Sequence, residues 1–145
     1  MPQPQPQPQP LATVRTYLSH LHAGDTAGLV ACFEDDGTVH SPFLGTLPAQ
    51  VFFPRLAQSS SASVITPIDL FASAEPAAER VRVAAYFRYD WTLDDGRELT
   101  FTCVDVFTFA GGSDRIQHMH IVYDTHPLRT QVGDKYAPDP VQAGT

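Results

Sequence analysis

Two residues of this sequence could combine into a site for carbonyl chemistry. Asp105 interrupts "LTFTCVDVFTF", residues 99–109, where alternation places Leu99, Phe101, Cys103, Asp105, Phe107 and Phe109 on one side of a strand. A carboxyl group on so apolar a side stays protonated or takes a partner, because burying it charged and alone is costly. Tyr17 falls on the apolar stripe of a helix carrying Leu11, Val14, Leu18 and Leu21, which turns its ring inward and leaves its hydroxyl needing a partner. Brought together, a phenol and a neutral carboxylic acid are two donors suited to an oxyanion forming on a carbonyl substrate. The competing reading is a structural Tyr17–Asp105 hydrogen bond tying helix to sheet.

Other candidate groups carry less. His118 and His120 share one side of a strand with Asp124, and His126 follows, a pattern that could hold a metal. No third spaced ligand accompanies them, so the sequence predicts no metal and no cofactor, and that side reads as the outer surface of a sheet. Cys32 and Cys103 form no CxxC motif and read as reduced, buried thiols. Asp69 and Asp90 are the carboxylates left to activate a water, if the chemistry were epoxide hydrolysis or ring closure.

The elements that must position these groups are legible in outline. "MPQPQPQPQP" (residues 1–10) predicts an extended, disordered tail, and residues 131–145 a loose one, with a single domain over 11–130. A helix follows Pro10 and stops at Gly24; Asp25 is the expected N-cap of a short second helix. "EDDG" reads as a turn, "TVHSP" as a short strand, and "LPAQVFFPRLAQ" as a third helix that Pro54 kinks or ends. "SSSAS" reads as a mobile loop. The rest is β: "VITPIDLFAS" interrupted at Pro67, then "RVRVAAYFRYDWTL", a "DDGR" hairpin turn, "ELTFTCVDVFTF", and "RIQHMHIVYD" after "AGGSD". Helices first and an antiparallel meander afterwards predict an α+β domain whose curved sheet wraps over the helices and leaves an apolar pocket.

A net charge of −7 over 145 residues, with no basic run, argues against nucleic acid and anionic membrane as partners. No apolar run is long enough to cross a bilayer. The first residues lack the charged and apolar regions of a signal peptide, which predicts a cytoplasmic protein.

"YLSHLHAGDTAGLVACFEDDGTVHSP" and "CVDVFTFAGGSDRIQHMHIVYD" together resemble the two ends of bacterial ketosteroid isomerases, in the same order. The helix tyrosine, the AGD turn and the strand ending in proline match at the front, and the aspartate in a V-D-x-F-x-F setting before a glycine turn matches at the back. The layout over residues 11–126 resembles the NTF2-like superfamily, which also holds SnoaL-like polyketide cyclases and limonene epoxide hydrolases. The resemblance implies a cone of helices packed on a curved, mainly antiparallel sheet that encloses a pocket. It also implies that Tyr17 and Asp105 are oxyanion donors, Asp105 as the protonated acid.

Departures from the pattern limit what it implies. Ser41 stands at the isomerase's base position, and an unassisted serine is a poor base; neighbouring His40 has a suitable pKa but alternates to the other side. Phe53 stands where the isomerase has a supporting tyrosine, and Ile121 at the acid position of the cyclases. True ketosteroid isomerase activity is therefore not expected. The expected pocket wall is Phe53, Phe87, Trp91, Phe101, Cys103, Met119, Ile121 and Tyr123, with proton transfer from His40, Ser41 or water. The expected partners are a small apolar carbonyl ligand and a second copy of the chain, bound through the outer side of the sheet. A non-catalytic ligand-binding or scaffold domain is the alternative. "YDTHPLR" resembles a strand exit of SnoaL-like proteins, where Asp124 and Arg129 could pair at the pocket rim or brace the interface.

Overall fold

The computed structural model describes residues 9–75 and 80–126; the expected tails at 1–8 and 131–145, and Arg129, lie outside them. Helix α1 (Gln9–Ala23) buries Val14, Tyr17, Leu18 and Leu21, the stripe set by the 3.6-residue repeat. Gln9 and Pro10, expected in the tail, form its first turn, where proline's missing N–H costs no helical bond. Gly24 closes α1 at φ +69°, a conformation that glycine adopts without a Cβ penalty. The Asp25 carboxylate then accepts the Gly28 N–H at 2.9 Å and caps α2 (Thr26–Ala31).

Helix α3 (Ala49–Gln58) contains Pro54 within its span, so the proline does not end it. It is fastened by Phe52 and Phe53, which are buried and packed edge to face on each other at 5.1 Å between centroids. Burial of two aromatic rings outweighs the cost of one proline in a helix.

Six strands form one mixed sheet in the order β2-β1-β6-β5-β4-β3: β1 (Phe33–Ser41), β2 (Gly45–Pro48), β3 (Ser60–Ala72), β4 (Arg80–Leu93), β5 (Glu98–Ala110) and β6 (Ile116–Val122). All pairings are antiparallel except β1 with β6. The sheet is curved and unclosed, and the three helices pack against it.

Two local expectations are corrected. "EDDG" is not a turn but part of β1, whose register against β6 shifts between Phe33 and Thr38. Gly37 makes that irregularity possible, because a Cβ there would lie 3.0 Å from the Ile116 carbonyl oxygen. Arg115 reaches across to the Phe33 carbonyl and to Asp35, so the acidic run is held against the sheet. "SSSAS" is not a loop: Ser60 begins β3, an edge strand, where polar residues keep the free edge solvated. The four-residue strand β2, folded back on β1 from Ser41↔Gly45 to Thr38↔Pro48, has no alternation long enough to read. The interruption at Pro67 is a register shift between Pro67 and Asp69 within a continuous β3.

The alternation in β4 and β5 holds throughout. Val83, Ala85, Phe87 and Tyr89 are buried beside Cys103, Asp105, Phe107 and Phe109. This inner face, with α1 and α3 above it, forms the core.

Candidate functional site

Between helices and sheet lies a cavity of about 470 Å³. Its inner part is lined by Tyr17 of α1, Ser41 at the end of β1, Phe52 of α3, Phe87 and Tyr89 of β4, Cys103 and Asp105 of β5, and Ile121 of β6. Strand pairing fixes the relative positions of the wall residues: Phe87 lies opposite Cys103, and Asp105 opposite Ala85 on one side and Ile121 on the other.

Asp105 is 2% exposed. Burial pushes its carboxyl up to about 7, partly offset by a hydrogen bond that the Cys103 thiol donates to Oδ1 at 3.0 Å. Near neutral pH the group is therefore about half protonated, and Oδ2, free of protein donors among the described residues, can carry the proton. Burial, and then the neighbouring Asp105 carboxyl, push the Cys103 thiol far above its ordinary range. Cys103 is thus a neutral donor and not a nucleophile.

Tyr17 is wedged among aromatic rings, with centroids 5.0 Å from Phe107, 6.0 Å from Phe53 and 6.3 Å from Phe33. Burial first and Asp105 second raise its phenol well above the usual value, so it stays a donor throughout the physiological range. No hydrogen bond joins Tyr17 to Asp105 among the described residues. The helix–sheet staple is absent, and both groups border the same cavity. Two neutral donors beside an apolar cavity can receive a carbonyl oxygen and stabilise negative charge developing on it.

Tyr89, in the same wall, is raised to about 12 by burial, while Ser63 bonds its hydroxyl at 3.2 Å and opposes the shift. Phe87, Trp91, Phe101, Cys103, Ile121 and Tyr123 line the cavity as expected residues of the wall. Phe53 and Met119 do not: both are fully buried behind it, Phe53 against the Tyr17 ring. Phe53 also packs on Phe52, and Met119 lies between Val39 and Phe107 in the ladder, so the alternation that turned Met119 inward delivered it to the core.

Ser41 lines the cavity, and its hydroxyl accepts the Phe43 N–H at 3.3 Å. His40 lies on the outer face of the sheet, its Nδ1 2.8 Å from the Thr46 hydroxyl and its ring 4.8 Å from that of His120. The strand's two-residue period separates it from Ser41, and it does not reach the cavity. His118 sits on the same outer face, 2.7 Å from the Thr38 hydroxyl. Among the described residues no three His, Cys, Asp or Glu side chains are placed to hold a metal. Asp90 is held by Arg88 and Thr100, Asp69 is exposed, and neither lines the cavity. Asp124 bonds the His126 N–H at 3.0 Å.

Sequence reasoning missed the outer part of the cavity, where Arg55, Leu56, Gln58 and Ser59 of α3 and its C-cap meet Asp94 and Arg97 of the β4–β5 hairpin. A backbone bond from the Asp94 N–H to the Ser59 carbonyl, 3.0 Å, joins the two segments. Their meeting is tertiary and leaves no local pattern.

Comparison with known proteins agrees with this architecture. A search of curated proteins returns no sequence match. Solved structures match at low identity and bear on the fold alone. An NTF2-like protein of unknown function from Burkholderia pseudomallei is 23% identical with a TM-score of 0.66, covering 87% of this chain and 98% of its own. SalBIII, an epoxide hydrolase/cyclase-like enzyme of pyran ring formation in salinomycin, is 18% identical with a TM-score of 0.66, covering 80% of this chain and 91% of its own. TerC, crystallised with polyporic acid, is 14% identical with a TM-score of 0.63, covering 85% of this chain and 97% of its own. The profile of the SnoaL-like domain matches residues 14–119; with the three helices on a curved sheet, this makes the chain a member of the SnoaL-like family within the NTF2-like superfamily.

Proposed function

We propose that the cavity binds a small apolar carbonyl compound whose oxygen is received by the Tyr17 hydroxyl and the protonated Asp105. The observation that carries this reading is the buried Asp105, whose carboxyl burial pushes up to about 7, at a cavity wall that is otherwise mainly apolar. Sites of this make-up, with a few convergent polar groups, are typical for small organic ligands. The reaction such a pair assists is isomerase- or lyase-type proton transfer beside the carbonyl. With His40 outside, the proton acceptor is a bound water or Ser41, which is a weak base. The scarcity of bases keeps non-catalytic ligand binding as the second reading. Titration with a phenol, a mimic of a dienolate, tests the proposal: binding to the wild type and its loss in a Tyr17→Phe/Asp105→Asn double variant are expected. Equal binding by both proteins would sink it.

The second copy of the chain belongs to the same proposal. Phe71, Tyr86 and Val122 are 52%, 37% and 48% exposed on the outer face of the sheet, where Val122 pairs in register with Val104. Among the described residues no helix covers that face, and an exposed apolar patch of this kind suits a self-complementary interface. Sedimentation is expected to give a dimer for the wild type and a monomer for Val122→Lys; a monomeric wild type would refute the pairing. Two free, buried thiols, Cys32 and Cys103, suit the cytoplasmic location we propose.

A further inference from the structure

The outer part of the cavity differs in kind from the inner part. Its exposed lining residues are Arg55, Gln58, Ser59, Asp94 and Arg97, against the neutral Tyr17, Cys103 and Asp105 at the other end. Between the two ends the wall is aromatic: Phe87, Tyr89, Trp91 and Phe101. From Asp105 to Leu99, the level of Trp91 in the ladder, the strand covers roughly 20 Å at about 3.3 Å per residue. The space is therefore elongated, with donors inside, an apolar middle and charges at the opening.

Those charges are unequal in what they are free to do. Arg97 is paired with Asp95 at 2.8 Å. Asp94 lines the hairpin side and repels an anion there. Arg55, on the last turn of α3, forms no ion pair with any of the described residues, in a chain whose net charge is −7. Its guanidinium presents paired donors that match a carboxylate in two parallel hydrogen bonds.

We propose that the ligand is an elongated keto acid, with its carbonyl at Tyr17 and Asp105 and its carboxylate at Arg55. This rests on the pocket reading above and adds to it a polarity and a specificity residue. The bland role for Arg55 is a favourable charge at the C-terminus of α3, which would affect stability and not selectivity.

The test uses a matched pair of linear aryl ketones, one ending in a carboxylate and the other in its methyl ester, titrated against the full chain. The wild type is expected to prefer the acid by about tenfold, a margin that shrinks as salt is raised. Arg55→Gln should remove the preference by weakening the acid about tenfold more than the ester, while Arg55→Lys should keep part of it. Equal affinity of the wild type for acid and ester, or equal weakening of both by Arg55→Gln, overturns the inference and leaves the carbonyl reading standing. Failure of both compounds to bind the wild type overturns the two together.

Discussion

With Asp105 replaced by asparagine, the fall in stability between about pH 4 and pH 7 is expected to lose its largest component. The folded carboxyl titrates near 7, against an ordinary value of 3.8. The folded state thus holds this proton more tightly than the unfolded one. The stabilisation is complete below the unfolded value, drains away as pH rises, and is gone above the folded value. A shift of this size corresponds to roughly 4 kcal/mol, a large share of a small domain's stability. Asp90 is held low by its bonds to Arg88 and Thr100, and Asp95 by bonds to Arg97. They slope the profile the other way, but equally in both proteins, so the difference isolates Asp105. Denaturant midpoints measured across a pH series check this, and parallel profiles for wild type and variant would mean that Asp105 titrates as an ordinary carboxylate.

Tyr17→Phe is expected to weaken binding of an aryl ketone or phenol by roughly 10- to 100-fold, the range for losing one hydrogen bond to a charged or strongly polarised oxygen. The ring contacts with Phe107, Phe53 and Phe33 survive the change, and no partner of the hydroxyl among the described residues is orphaned. Stability should therefore move by less than about 1 kcal/mol. That split, large for binding and small for folding, separates a ligand-facing hydroxyl from a structural one. Isothermal titration beside thermal unfolding reads both, and a variant that loses stability while binding normally would make Tyr17 part of the core alone.

The sheet was legible because its two long central strands keep strict alternation. Every second residue from Val83 to Tyr89 and from Cys103 to Phe109 is buried, and one face packed on helices is what produces that pattern. Asp105 stood out for the same reason, as the polar residue in a row of buried ones. Irregular pairings and edges were harder to read. In β1, Gly37 and the acidic residues 34–36 imitate a turn while forming a bulge, and the serines opening β3 imitate a loop because an edge strand tolerates polar residues. The cavity's inner wall followed from alternation, but Phe53 and Met119 show its limit. Facing inward does not distinguish a wall from the core behind it. The role of Arg55 depends on α3 and the β4–β5 hairpin meeting in space, which no local spacing encodes.

The infrared stretch of the carbonyl in a bound aryl ketone bears most directly on the central claim, since polarisation by two donors weakens that bond. In the wild type below pH 7 the stretch should move to lower frequency than in water, and in Tyr17→Phe and Asp105→Ala, each of which removes one donor, it should return stepwise toward its value in an apolar solvent. A bound carbonyl that vibrates as in an apolar solvent in all three proteins would contradict the account.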